Sequence, residues 1–301
     1  LTKIKNLKPD GIIIVGMGGS GLPANILSGL SKTIGLKIPI FIWKNYGLPE
    51  TNFKKPLYVF VSFSGNTAET ISGLSFLLKK RPIANIGIVS TGGVLKDLAK
   101  KYRLAYVTFS AKDLTPREGL GYNFYSLIKL LKATLPNLRV QELDQKINPK
   151  RFQKEALSLA KFINRTVTIA YTDTIHSYLG YIWKTNLNET AKQPVFTNAL
   201  PEMNHNEITI FEKKSFPFSA LFLESSKTEN HLAQKMRLTK KLLKNYGVKT
   251  KIIKLIGKSE EERIWNSIIL SNLVSIYLAK IRKVDPNETR LIDRLKMTKN
   301  K

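Results

Sequence analysis

The sequence predicts an α/β protein of two doubly wound units, each an αβα sandwich around a mainly parallel sheet. Three observations carry this. Short apolar runs alternate with longer amphipathic ones, a polar segment bearing Pro and Asn interrupts the alternation near mid-chain, and 301 residues exceed the usual size of one domain.

In the first half, the apolar runs at 11–15, 39–43, 57–61, 86–90 and 105–109 read as strands. Helices fill the gaps; at 68–80, Ile71, Leu74, Leu77 and Leu78 fall on one stripe. A long helix at 121–135 closes the first unit. The segment 136–150, with Pro136, Asn137, Asn148 and Pro149, reads as a linker, giving domains at 1–136 and 150–301. Strands at 166–171, 220–224 and 249–255 and helices at 175–192, 230–246 and 260–282 follow, with a short basic helix at 289–301. No sequence repeat relates the halves.

A hydrophobic share of 43% with 24% charged residues is that of a folded chain. The sign is unusual: 49 Lys and Arg against 22 Asp and Glu give +27, which favours anionic partners. The lysines are scattered, with doublets such as Lys79-Lys80 and Lys240-Lys241 on solvated helix faces, and no nucleic-acid module is visible, so no nucleic acid is expected. Without cysteine there is no disulfide, thiolate nucleophile or cysteine metal site. No signal-peptide layout and no uninterrupted apolar run of about 18 residues appears, so we expect a cytoplasmic protein with no membrane partner. Leu1 is not an initiator methionine, and we expect a segment to precede it.

The first strand runs into Gly16-Met17-Gly18-Gly19-Ser20-Gly21. Glycines let the backbone approach an anion, and the following helix offers free N–H groups. The pattern matches G-x-G-x-x-G, but a dinucleotide site needs an acid at the end of the second strand, which reads Trp43-Lys44-Asn45. That argues against NAD; Lys44 leaves NADP formally open, and a packing turn is the bland alternative. The third strand runs into Ser62, Ser64, Gly65, Asn66 and Thr67 before a helix opens. Hydroxyls at 62, 64 and 67 exceed what one helix cap needs and can hold a phosphate dianion without a metal.

Val61-Ser62-Phe63-Ser64-Gly65-Asn66-Thr67-Ala68-Glu69-Thr70, with the glycine turn upstream, resembles the sugar isomerase (SIS) fold and, within it, the bifunctional phosphoglucose/phosphomannose isomerases. The resemblance spans nearly the whole chain. It implies that Gly18, Gly19 and Ser20 line a sugar phosphate and that Ser62, Ser64 and Thr67 bind its phosphate. It also implies aldose–ketose isomerisation of glucose 6-phosphate and mannose 6-phosphate with fructose 6-phosphate, through a cis-enediolate and with neither metal nor nucleotide cofactor.

Such chemistry needs a base between C1 and C2, a ring-opening group and positive charge near the enediolate oxygens. Glu189 follows an apolar, aromatic helical run; an isolated helical Glu is ordinarily a solvated charge, but the Asn-Glu-x-x-Lys context is similar to that of the family's proton-transferring Glu. Sixteen residues on, His205 sits in Asn204-His205-Asn206-Glu207, a family hallmark. The resemblance implies that this His assists ring opening across the interface of a homodimer. His176 and His231 read as packing or surface residues. By the same resemblance Arg117, after Pro116, stabilises enediolate charge, Lys296 is the C-terminal active-site Lys, and Thr289, seven residues before it, helps rotate the C2–C3 bond. Lys283, Lys299 and Lys301 rival Lys296 on charge alone. A non-catalytic sugar-phosphate sensor or another SIS-fold isomerase is the alternative.

Overall fold

Ile12–Val15 (β1) is a run of β-branched residues, all buried, as a strand covered on both faces requires. It lies between Ile40–Trp43 (β2) and Leu57–Val61 (β3), with Ile12 opposite both Ile40 and Leu57. Ile86–Val89 (β4) and Ala105–Val107 (β5) complete a five-stranded, wholly parallel sheet of order β2-β1-β3-β4-β5. The helices Gly18–Leu30 (α1), Ala68–Lys79 (α2), Gly93–Lys101 (α3) and Leu120–Lys132 (α4) connect and close it. One core of this unit joins Ile13, Val15, Phe60, Ile88 and Leu95.

The computed structural model describes residues 1–5, 7–80, 85–111, 113–143, 146–213 and 216–297, the side chains of 296 and 297 excepted. The chain divides into two units, Leu1–Gln141 and Glu142–Lys301.

The second unit contains the helices Gln153–Ile163 (α5), Ser177–Ala191 (α6), Asn230–Asn245 (α7), Glu260–Arg282 (α8) and Arg290–Met297 (α9). Its strands are Val167–Asp173 (β6), Val195–Leu200 (β7), Phe218–Glu224 (β8) and Lys249–Lys254 (β9), parallel in the order β7-β6-β8-β9. This repeats the β2-β1-β3-β4 order of the first unit, a relationship the sequence does not display. The edge strand β9 carries Lys249, Lys251 and Lys254, charges that discourage pairing with another chain.

One feature of the fold departs from the sequence reading. The edge strand β7 falls between a helix and Pro201 and was not expected; Asn198 at its centre weakens its strand signal. By length and hydropathy α8 could span a bilayer, yet 61% of its apolar window is buried, and it packs on α5 and α6 as the core helix of its unit.

Candidate active site

In the first unit, chain order reverses between β1 and β3, and open parallel sheets bind ligands beyond the carboxyl ends of strands at such a point. The glycine turn follows β1 and the hydroxyl turn follows β3, so sheet order alone brings both to one place. A hydrogen bond joins them: Ser20 Oγ accepts from the Phe63 N–H at 2.8 Å. Gly18 has φ +47°, and Met17, the residue capping α1, makes no side-chain cap, so the first N–H groups of α1 have no partner from their own helix.

The hydroxyl turn is built from within. Ser62 is fully buried; its hydroxyl shares a 2.8 Å hydrogen bond with that of Thr67 and accepts from the Gly65 N–H at 3.1 Å. Ser64 is exposed and accepts from the Asn66 N–H at 3.2 Å, while Asn66 Oδ1 takes the Val94 N–H at the start of α3. Thr67 is the N-cap residue of α2 but makes no side-chain cap. None of these side chains is spent on capping α2. Gly65 is obligatory, with φ +73° and a Cβ position 1.8 Å from the Gly92 carbonyl oxygen.

Arg117, expected at the start of a helix, lies in the turn before α4 and is 4% exposed. A Cβ on Gly19 would stand 3.2 Å from Pro116 and 3.4 Å from the Arg117 nitrogen, so glycine is what lets this turn approach α1. Gly119 packs on Phe63 in the same way. Gly18, Gly19, Ser20, Ser62, Ser64, Thr67 and Arg117 therefore gather on three interlocked turns. Lys44, at the end of β2, donates to Asn25 Oδ1 at 3.0 Å, and burial lowers its pKa.

In the second unit, Glu189 is half-buried in the last turn of α6. That helix is fixed to α8 by Trp183 Nε1 donating to Ser267 Oγ at 3.0 Å and Asn186 Nδ2 to Ser271 Oγ at 2.7 Å. Lys192 Nζ donates to the carbonyls of Glu189 (2.9 Å) and Asp285 (2.6 Å), tying the end of α6 to the segment leading to α9. Thr289 lies in that segment, its hydroxyl 3.2 Å from Asp293 Oδ2. Lys296 falls on α9, and its side chain lies outside the described residues, as do Lys299 and Lys301. His205 is exposed at the end of a 3-10 turn, Glu202–His205, on a separate loop after β7.

His176 is not the ordinary packing residue the sequence indicated. It is 2% exposed, with Nδ1 2.7 Å from Asp173 Oδ1 and Nε2 2.8 Å from Glu260 Oε1; Thr228 and Arg263 bind the outer carboxylate oxygens. Burial works to lower its pKa, but the hydrogen bonds and charges of Asp173 and Glu260 outweigh it and raise it to about 9. Burial would raise both carboxyls, yet the hydrogen bonds and charge of His176, aided at Asp173 by Thr228 and at Glu260 by Arg263, hold them below the usual range. Asp173 stands three residues before His176, a local hint that the sequence reading passed over, whereas Glu260 is 84 residues away and only the fold brings it to the ring. It fills the point of the second sheet that corresponds to the glycine and hydroxyl turns of the first.

Residues 152–298 match the family described as bacterial phospho-glucose isomerase C-terminal SIS domain. A bifunctional phosphoglucose/phosphomannose isomerase of Caldicellulosiruptor bescii is 30% identical over 306 residues, covering 95% of this chain and 88% of that protein. Another, of Aquifex aeolicus, is 28% identical over 295 residues, covering 97% and 91%. A glucose-6-phosphate isomerase structure from Chlamydia trachomatis shares the fold with a TM-score of 0.70 at 14% identity, covering 98% of this chain and 69% of that one. With two turns suited to an anion at the switch point of the first sheet and full-length similarity at this level, the chain belongs to the bifunctional phosphoglucose/phosphomannose isomerase family.

Proposed function

We propose that this protein interconverts glucose 6-phosphate and mannose 6-phosphate with fructose 6-phosphate. The observation that carries the substrate class is the Ser20–Phe63 hydrogen bond, which joins the glycine and hydroxyl turns into one surface of neutral donors. Residues 1–136 form the phosphate-holding domain and 150–301 the domain that supplies the base. Ser64, Thr67 and the amides of α1 and α2 hold the phosphate and Gly18, Gly19 and Ser20 line the sugar; Ser62, expected with Ser64 and Thr67 as a phosphate ligand, is fully buried with its hydroxyl engaged by Thr67 and the Gly65 N–H, and its role is to brace the turn.

Glu189 takes the C2 proton of the open-chain aldose, and the C–H electron pair becomes the C1–C2 double bond of a cis-enediolate. A proton shift from O2 to O1 and return of the carried proton to C1 give the ketose. Arg117 stabilises the enediolate charge, His205 and Lys296 assist ring opening and proton transfer, and Thr289 permits the C2–C3 rotation that admits mannose 6-phosphate. The protein works in the cytoplasm as a homodimer with His205 contributed across the interface.

A coupled assay following fructose 6-phosphate from each aldose tests the reaction; folded protein that converts neither sugar sinks it. Glu189→Gln should lose turnover and retain binding. Phosphate binding without C2 proton exchange in deuterated water would instead favour a sensor. Mixing E189Q chains with H205A chains, the latter retaining only a small residual activity, tests the shared site: with His205 acting across the interface, about a quarter of parental activity returns. No recovery after confirmed subunit exchange would place His205 in its own protomer's site.

A further inference from the structure

We propose that Glu207 is the positioning residue for His205, fixing the imidazole's approach to the substrate by anchoring its loop to the sheet. The inference rests on the ring-opening role given to His205 above. The imidazole itself is exposed, at the end of a short turn that packs into the core through Met203 rather than through His205. Two residues on, the half-buried Glu207 carboxylate accepts from the hydroxyl of Tyr171 at 2.7 Å through one oxygen and from Asn198 Nδ2 at 2.7 Å through the other. These donors stand on β6 and β7, so the carboxylate bolts the loop to two neighbouring strands. Burial, and then the charge of Glu207, raise the Tyr171 pKa, which keeps the phenol a donor.

The flanking asparagines complete the frame. Asn204 Oδ1 accepts from Thr239 Oγ1 on α7 at 3.1 Å. Asn206 Oδ1 accepts from the Glu207 N–H at 2.5 Å, and its Nδ2 donates to Glu202 Oε1 at 2.9 Å, closing the turn that carries His205. The backbone is therefore held at 204, 206 and 207 while the side chain between them faces outward. A carboxylate suits the anchor because it offers an acceptor to each of two donors. Glutamine, though isosteric, keeps only one acceptor oxygen: with that oxygen on Asn198 its NH2 must donate to the phenol, whose own hydrogen then loses its acceptor and whose pull on the loop is neutral rather than charge-assisted.

The test is a double-mutant cycle on the full-length protein: parent, Glu207→Gln, His205→Ala and the double variant, with kcat and KM measured on both aldoses. Acting through His205, E207Q should lower kcat about 10- to 100-fold with KM within about twofold, as expected when a reacting group is displaced by about an ångström. In the H205A background the same substitution should change kcat by less than about twofold. Equal losses in the two backgrounds, or an E207Q variant as active as the parent, would overturn the proposal. An H205A variant that turns over like the parent removes the role of His205, and the inference with it; that outcome is distinct from an impaired H205A with additive losses. Should E207Q fail to fold, Tyr171→Phe removes one donor and keeps the packed ring, and it carries the same cycle.

Discussion

His176 makes stability depend on pH in a direction opposite to that of an ordinary buried histidine. Its pKa rises from 6.5 to about 9 between the buried Asp173 and the half-buried Glu260 carboxylates. At about 1.4 kcal/mol for each tenfold change in proton affinity, the fold gains about 3 kcal/mol from the protonated ring. The depressed carboxyls of Asp173 and Glu260 report the same cluster from the other side and are not added. Because the folded pKa lies above the unfolded one, the stabilisation is complete below pH 6.5 and is lost as pH rises through about 9. Urea unfolding of the parent at pH 6 and pH 9.5 should therefore differ by about 3 kcal/mol more than that of His176→Gln. H176Q should also be weaker at neutral pH by about 3 kcal/mol, since it removes the cationic partner of the buried Asp173 carboxylate, while the part-exposed Glu260 keeps Arg263. Only three histidines are present, so three imidazole resonances can be followed through a titration. Equal pH slopes for parent and H176Q, or no imidazole titrating above about pH 7.5, would refute this reasoning.

Other outcomes follow from single contacts. Gly65→Ala forces a Cβ against the Gly92 carbonyl at positive φ and should cost more than about 3 kcal/mol; a melting temperature within about 2 °C of the parent's would contradict it. Ser20→Ala leaves the Phe63 N–H without its acceptor, so we expect a loss of about 1–3 kcal/mol and a raised KM for both sugars; unchanged KM would show that the stitch does not shape the site. Lys192→Met frees the carbonyls of Glu189 and Asp285 and should lower thermal stability by about 1–3 kcal/mol with a fall in kcat; parental values in both would separate the clamp from the base.

Much of the site was legible because its chemistry is local in sequence. A glycine cluster after a buried strand, and hydroxyls after another, announce turns with helix N-termini suited to an anion, and both turns follow the strands that the spacing predicted. Glu189 and His205 were found differently, through the resemblance of their surroundings, since a lone Glu or His has no periodic signature. The strand β7 escaped notice because an edge strand with Asn198 at its centre lacks the alternation that marks a half-buried one.

The sequence by itself determined the α/β class, the strand-to-turn-to-helix units and the places of the two turns proposed to hold the phosphate, because these depend on hydrophobic period and on residues a few positions apart. Tertiary structure alone decided what those turns are made of: a Ser62 hydroxyl spent inside, a Ser64 hydroxyl left outside, and Arg117 admitted by Gly19. It alone decided that His176 is a buried cation and Glu207 an anchor. Each role pairs a nearby partner, Asp173 for His176 and Asn198 for Glu207, with a remote one, Glu260 and Tyr171, that lies 84 and 36 positions away, and the remote meeting depends on geometry that no local pattern encodes.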